Sequence, residues 1–241
     1  AAEKQLEGTE FQLMKLRVAG TPTIAQWLGG QLADSDSKEV GIDGKVVSVA
    51  YARQLVDELR GEGGLTLRTN FDPLAVVWTD RPSLPYNNKV EIQPVELAGE
   101  SAEKKLALIR KALRGLHTDG MLMSALDDVA WTLNLRGRDV HCNPVFLSYL
   151  LIAPERATLF IDRRKLTPEV ERYLSSVGVG VEEYAAVGKG LKDYFSYNIL
   201  MDPKETGEVM PGYVDKHVKV VYADSPVPAM KAVKTLSLIH I

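Results

Sequence analysis

Cysteine is all but missing: the 241 residues contain one, Cys142. A lone cysteine cannot close an internal disulfide, which fits a reducing compartment and a cytoplasmic protein. Histidine is nearly as scarce, with four residues: His117, His141, His217 and His240. A catalytic zinc or manganese site needs three or more His, Asp or Glu ligands converging on one face, and no two of these histidines stand at H-x-x-x-H spacing. No apolar run approaches the ~18 residues that a membrane span requires. The opening stretch AAEKQLEGTE offers no signal-peptide core. An excess of one charge is missing as well. The chain has 29 basic against 32 acidic residues, a net charge of −3, and no basic block, so nothing marks it for nucleic acid.

Other familiar chemistry is absent on spacing grounds. There is no G-x-S-x-G elbow. Cys142 and His141 are sequence neighbours, which on an extended loop point to opposite sides and so make a poor nucleophile–base pair. Cys142 is expected to be a small buried apolar residue. Asp127 and Asp128 are adjacent, which on a helix sets them about 100° apart. They suit the first turn of a helix better than a shared metal ion. Gly188-Lys189-Gly190 lacks the spacing of a phosphate loop and reads as a glycine-punctuated loop before a helix.

What is present is an alternation of strands and amphipathic helices. Ala1 to Leu6 reads as the tail of a helix, and Glu10 to Val18 as a strand. Thr21-Pro22 offers a cap for the helix carrying Trp27 and Leu28. Lys38–Asp43 and Leu65–Thr69 are strand candidates. Between them lies a helix capped by Ser48, with Ala52, Leu55, Val56 and Leu59 on one face and Gly61 at its end. Thr79–Lys89, rich in Pro and Asn, reads as a linker.

The rhythm then restarts. Leu106, Ile109, Leu113 and Leu116 stripe a helix that begins near Ser101. Gly120–Ala125 is a strand, and Leu126, Val129, Ala130 and Leu133 stripe the next helix. PVFLSYLLI and ATLFID flank Ala153-Pro154-Glu155-Arg156 as a hairpin. Thr167-Pro168 opens a helix with Val170, Tyr173, Leu174 and Val177, closed by Gly178. NILMD and Val218–Ala223 are late strands. This pattern predicts an α/β protein in two units.

The densest cluster of polar groups is NLRGRDVHCNPVF, Asn134 to Phe146. Gly137 permits a turn, and Asn143-Pro144 forces an extended entry into the next strand. Arg136, Arg138, Asp139 and His141 are then held between packed elements, an arrangement that suits recognition of polar or charged groups. An internal Arg–Asp pair that only shapes the loop is the competing reading.

The segment ALDDVAWTLNLRGRDVHCNPVFLSYLLI, followed by ATLFID, resembles the second domain of the three-domain Xaa-Pro aminopeptidases. VVWTDRPSLP (Val76–Pro85) is similar to the segment joining their first two domains. TPTIAQWL, VGID and SPVPAMKAVK match in the family's order. The resemblance implies two creatinase N-terminal-like, ribonuclease H-like units with mixed sheets flanked by helices, the first truncated. It places the end of the first unit and the linker at residues 1–88, the second unit at 89–226, and the start of a further domain at 227–241. Residues 236–241 resemble a translated sequencing adapter.

The family removes an N-terminal residue that precedes proline. It uses two metal ions, usually manganese, bound in a C-terminal pita-bread domain. The resemblance therefore implies no catalytic residue and no metal ligand in this chain, and an inactive fragment of an active enzyme. It implies substrate-side roles for Arg136, Gly137, Asp139, Asn143 and Pro144, with peptides carrying proline second as substrates and a homodimer when full length. The alternative is a peptidase-like module without activity that binds histones or peptides.

Overall fold

The computed structural model of the chain describes residues 1–234. The suspected adapter-derived residues 236–241 lie outside them.

The N-terminal part holds α1 (Ala2–Leu6), α2 (Ile24–Gln31), β1 (Glu39–Gly41), α3 (Val49–Gly61) and β2 (Thr66–Arg68). Strands β1 and β2 pair in parallel, Glu39 opposite Thr66, with α3 as the crossover. Their core is small: Ala25, Leu55, Leu59 and Leu65 are buried together. Helix α2 is capped by Thr23, two residues beyond the expected cap. The Thr23 side chain accepts from Gln26 N, and Gln26 Oε1 accepts from Thr23 N, a reciprocal pair that Thr21 could not form. The strand expected over residues 10 to 18 is not formed. Most of those residues have no regular structure and the stretch ends in a turn, with Arg17 at φ +64; a strand needs a ladder partner, whereas β1 and β2 pair with each other.

Helix α3 docks its N-terminus onto a later segment. Val49 N donates to Thr206 O at 2.9 Å and Ala50 N to Pro203 O at 2.8 Å. These bonds satisfy first-turn donors that have no partner inside their own helix. Residues 79 to 89 contain no helix or strand.

The remainder runs β3 (Glu91–Ile92), α4 (Val95–Ala98), α5 (Ala102–Gly115), β4 (Met121–Met123), α6 (Leu126–Thr132), β5 (Leu135–Arg136), β6 (Ser148–Ile152) and β7 (Ala157–Ile161). It continues with α7 (Pro168–Ser176), β8 (Val179–Glu182), α8 (Val187–Lys192), β9 (Asn198–Met201), β10 (Lys219–Tyr222) and α9 (Val227–Ala232). Six strands form a mixed sheet in the order β10-β9-β4-β6-β7-β8. The β4–β6 and β6–β7 pairs are antiparallel and the other three are parallel.

Side chains alternate strictly across this sheet. Met121, Met123, Leu150, Ile152, Leu159 and Ile161 face α5, α6 and α7. Leu122, Leu151, Phe160, Ile199 and Met201 face the other layer, which includes α8. Both faces are covered, so the strands read as continuous apolar runs. The expected α/β class with a mixed sheet and flanking helices is what the chain forms.

Two expectations fail on close packing. Leu116 falls one residue past α5 and is 46% exposed. Gly188 and Gly190 lie inside α8 rather than in a loop before a helix. A side chain at Gly190 would overlap the Phe160 ring, so glycine lets this short helix settle on the sheet.

Candidate functional site

The loop between β5 and β6 is held at both ends by buried residues. At its front, Asn134 is 2% exposed with φ +51, a left-handed position that asparagine tolerates better than most residues. Its Nδ2 donates to Glu100 O at 2.8 Å, and its Oδ1 accepts from Lys105 Nζ at 2.6 Å. Strand β5 then pairs with β3, Glu91 opposite Arg136. At its back, Val145 and Phe146 are buried. Gly137 fits where nothing larger does: an added Cβ would meet Phe146 Cβ at 2.7 Å and the Val145 carbonyl at 2.8 Å.

The two arms are tied by Gly137 N to Pro144 O and Asp139 N to Val145 O, both at 3.1 Å. The tip is a tight turn, with Asn143 N donating to Val140 O at 3.2 Å. Cys142 occupies its third position at φ +60, where such turns favour glycine. The expectation of a buried Cys142 is corrected: the thiol is exposed, because a left-handed turn residue points its side chain away from the packed arms. His141 is exposed beside it.

Arg136, Gly137, Asn143 and Pro144 line one groove of about 460 Å³, together with Glu91, Arg138 and His141. Arg136 donates from Nη1 to the carbonyls of Ala130 at 3.2 Å and Leu135 at 2.8 Å. Burial pulls its pKa below the ordinary guanidinium value. It makes no ion pair with any described residue. Arg138 pairs with Glu91 at 3.3 Å on the surface.

Asp139 faces the other way. Its carboxylate pairs with Lys165, both side chains being 1% exposed, and Oδ2 also accepts from Leu147 N at 2.8 Å. Asp139 is thus partnered by a lysine 26 residues away, and neither neighbouring arginine pairs with it.

Sequence reasoning missed three lysines. Lys105 is 2% exposed and reaches Trp131 O at 2.8 Å, with its ammonium 4.2 Å from the centre of the Trp131 ring. Desolvation, with help from the charge of Arg136, lowers its pKa to about 8 against an opposing pull from Glu100. Its place between Ala102 and Ile109 on the buried stripe of α5 was the available signal. Lys165 and Lys231 carried none.

Asp127 and Asp128 do sit in the first turn of α6, as expected, and both also accept from Lys231 of α9. Burial raises the pKa of Asp128. Asp202 lies nearby, but its carboxylate is taken by the backbone N–H groups of Lys204 and Ser225. Among the described residues no three His, Cys, Asp or Glu side chains converge in a way that could hold a metal ion. A two-metal centre does not fit this region. Nor is any helix among the described residues long and apolar enough to cross a membrane.

Residues 80–237 match the Creatinase/Prolidase N-terminal domain. The chain belongs to this family. It is 39% identical over 186 residues to a probable Xaa-Pro aminopeptidase P of Leptosphaeria maculans, covering 77% of this chain and 30% of that protein. A probable Xaa-Pro aminopeptidase P of Arthroderma gypseum is 39% identical over 174 residues, covering 72% of this chain and 27% of its own length. The chain therefore spans less than a third of these curated relatives.

Among solved structures, the X-prolyl aminopeptidase of Caenorhabditis elegans, described as a cytosolic enzyme with a di-nuclear active site, superposes with a TM-score of 0.82 at 24% identity. That match covers 95% of this chain and 38% of the other. At such identity it speaks to the shared creatinase/prolidase N-terminal fold.

Proposed function

We propose that this chain is the region preceding the catalytic domain of a metal-dependent Xaa-Pro aminopeptidase, and that the groove along residues 136–144 forms a wall on the substrate side. The whole protein takes peptides with proline at the second position and removes the residue before it. Its metal ions, two of manganese in the family's usual case, are held by a domain downstream. This region supplies no catalytic residue. Its first unit ends at the linker by residue 88, and its second runs from 89 to 226. The full-length protein is a cytoplasmic homodimer.

One observation carries the reading. A stretch of 186 matched residues cannot fit in 241 without including the groove, and over that stretch the chain is 39% identical to a probable Xaa-Pro aminopeptidase P. The groove's chemistry agrees with the role. Arg136 is a partly desolvated cation with no carboxylate partner among the described residues, so it can offer charge to a polar peptide group.

The test uses this chain and a full-length protein that contains it. The chain alone, given an Xaa-Pro-Xaa peptide and manganese, is expected to show no turnover, and robust hydrolysis would overturn the assignment. In the full-length protein, Arg136→Ala should raise KM while elemental analysis finds the metal content unchanged. Metal loss from that variant would contradict the placement of the groove.

A further inference from the structure

We propose that Lys165 is the positioning residue of the 137–147 loop: through the buried Asp139 carboxylate, its ammonium holds the rim of the groove in one geometry. The importance of that rim rests on the substrate-side reading above.

Lys165 ends a 3₁₀ turn, Arg163–Lys165, that follows β7. Its backbone carbonyl accepts from Val90 N at 3.0 Å, just before β3. Its side chain crosses to the loop. One residue therefore joins the entry to β3, the exit of the sheet and the groove rim.

Asp139 spans both arms of the loop. Its backbone N donates to Val145 O at 3.1 Å, while its carboxylate accepts from Leu147 N at 2.8 Å. A carboxylate can stay charged at 1% exposure only with a compensating cation. Among the described residues no second cation is placed to pair with this carboxylate. The Nη1 of Arg136 is engaged by the Ala130 and Leu135 carbonyls, and Arg138 is paired with Glu91. Asp139 Oδ1 has no partner among the described residues, so beside Lys165 only the neutral Leu147 N–H supports the carboxylate there. Without Lys165 the buried carboxylate must draw in water, and that pulls the arms apart.

Residue-resolved amide hydrogen exchange on this chain tests the idea. In Lys165→Met, the amides of Gly137, Asp139 and Leu147 should exchange roughly tenfold or more faster, while those of β6 and β7 keep their protection. Lys165→Arg retains a cation and should restore most of the loop's protection. Should Lys165→Met fail to fold, the double variant Asp139→Leu/Lys165→Met removes the stranded charge and must show the same local loss.

Wild-type exchange of the loop amides in a folded variant overturns the proposal. So does a loss spread evenly over the sheet, or a failure of Lys165→Arg to restore protection. A second measurement separates this from the functional reading. In the full-length protein, Lys165→Met should raise KM for an Xaa-Pro-Xaa peptide with little change in kcat. Loop protection lost with KM unchanged supports the positioning role and removes the substrate-side role of the groove.

Discussion

The Nζ of Lys105 lies 2.6 Å from Oδ1 of Asn134, in the protein interior. Asn134 in turn donates to the Glu100 carbonyl and accepts from Gln93 N through its own carbonyl at 2.7 Å. A helix, the approach to that helix and the start of the groove loop thus meet at one buried ammonium. That ammonium is bound by neutral oxygens and an aromatic face, with no carboxylate at ion-pair distance among the described residues.

A pH dependence follows from this. Folded, Lys105 loses its proton near pH 8; unfolded, near its ordinary 10.5. Between those values the unfolded chain binds more protons, so the free energy of unfolding rises with pH. Relative to a Lys105→Met variant, the wild type should gain on the order of 3 kcal/mol between pH 8 and 10.5. Urea unfolding of both proteins across that range checks it, and parallel curves would show that Lys105 is not desolvated.

Gly137→Ala should destabilise the chain by roughly 1–3 kcal/mol through overpacking. The added methyl would meet the Val145 carbonyl and Phe146 Cβ, and neither belongs to a flexible side-chain end that could yield. The loss should appear as a lower urea midpoint with an unchanged slope.

Lys231→Met strands Asp128, whose side chain is 5% exposed. The cost at pH 7 should be roughly 2–3 kcal/mol, under the value for a fully buried pair because Lys231 itself is partly exposed. The deficit should shrink on acidification. Burial already raises the pKa of Asp128, and losing the cation raises it further, so protonation relieves the variant. Asp127 works in the same direction: its burial is outweighed by bonds to Lys231 that lower its pKa, so the wild type loses that contribution as pH falls. Stability curves from pH 4 to 7 should therefore converge at the acid end.

Arg138→Ala should change stability by less than ~1 kcal/mol, because its pair with Glu91 is 76% and 64% exposed. Thermal unfolding should be close to wild type. A larger loss would mean that the arginine holds the loop, a role that the structure assigns to Asp139 and Lys165.

Local features were legible along the chain. Ser48 and Thr167 cap the helices they were expected to cap, the helix expected to begin near Ser101 does begin there, and the hairpin turns at Ala153-Pro154-Glu155-Arg156. Apolar spacing marked the faces of α3, α5 and α7 that are buried. Each of these signals lies within a few residues of its effect. The expected strand over residues 10 to 18 failed for the complementary reason, since alternation describes a strand but cannot supply its neighbour.

The groove divides in the same way. Sequence alone marked part of the loop's frame: Gly137, expected to permit a turn and found instead at a close approach to Val145 and Phe146, and Asn143-Pro144 leading back into the sheet. Those depend on backbone geometry and on which side chains can accept it. Tertiary structure decided the rest. It turned Asp139 inward to Lys165, left Cys142 exposed and Arg136 without an ion-pair partner among the described residues, and brought Lys231 to Asp127 across 104 residues. A charge finds its partner through space, and only the packed sheet determines which distant lysine arrives beside which carboxylate.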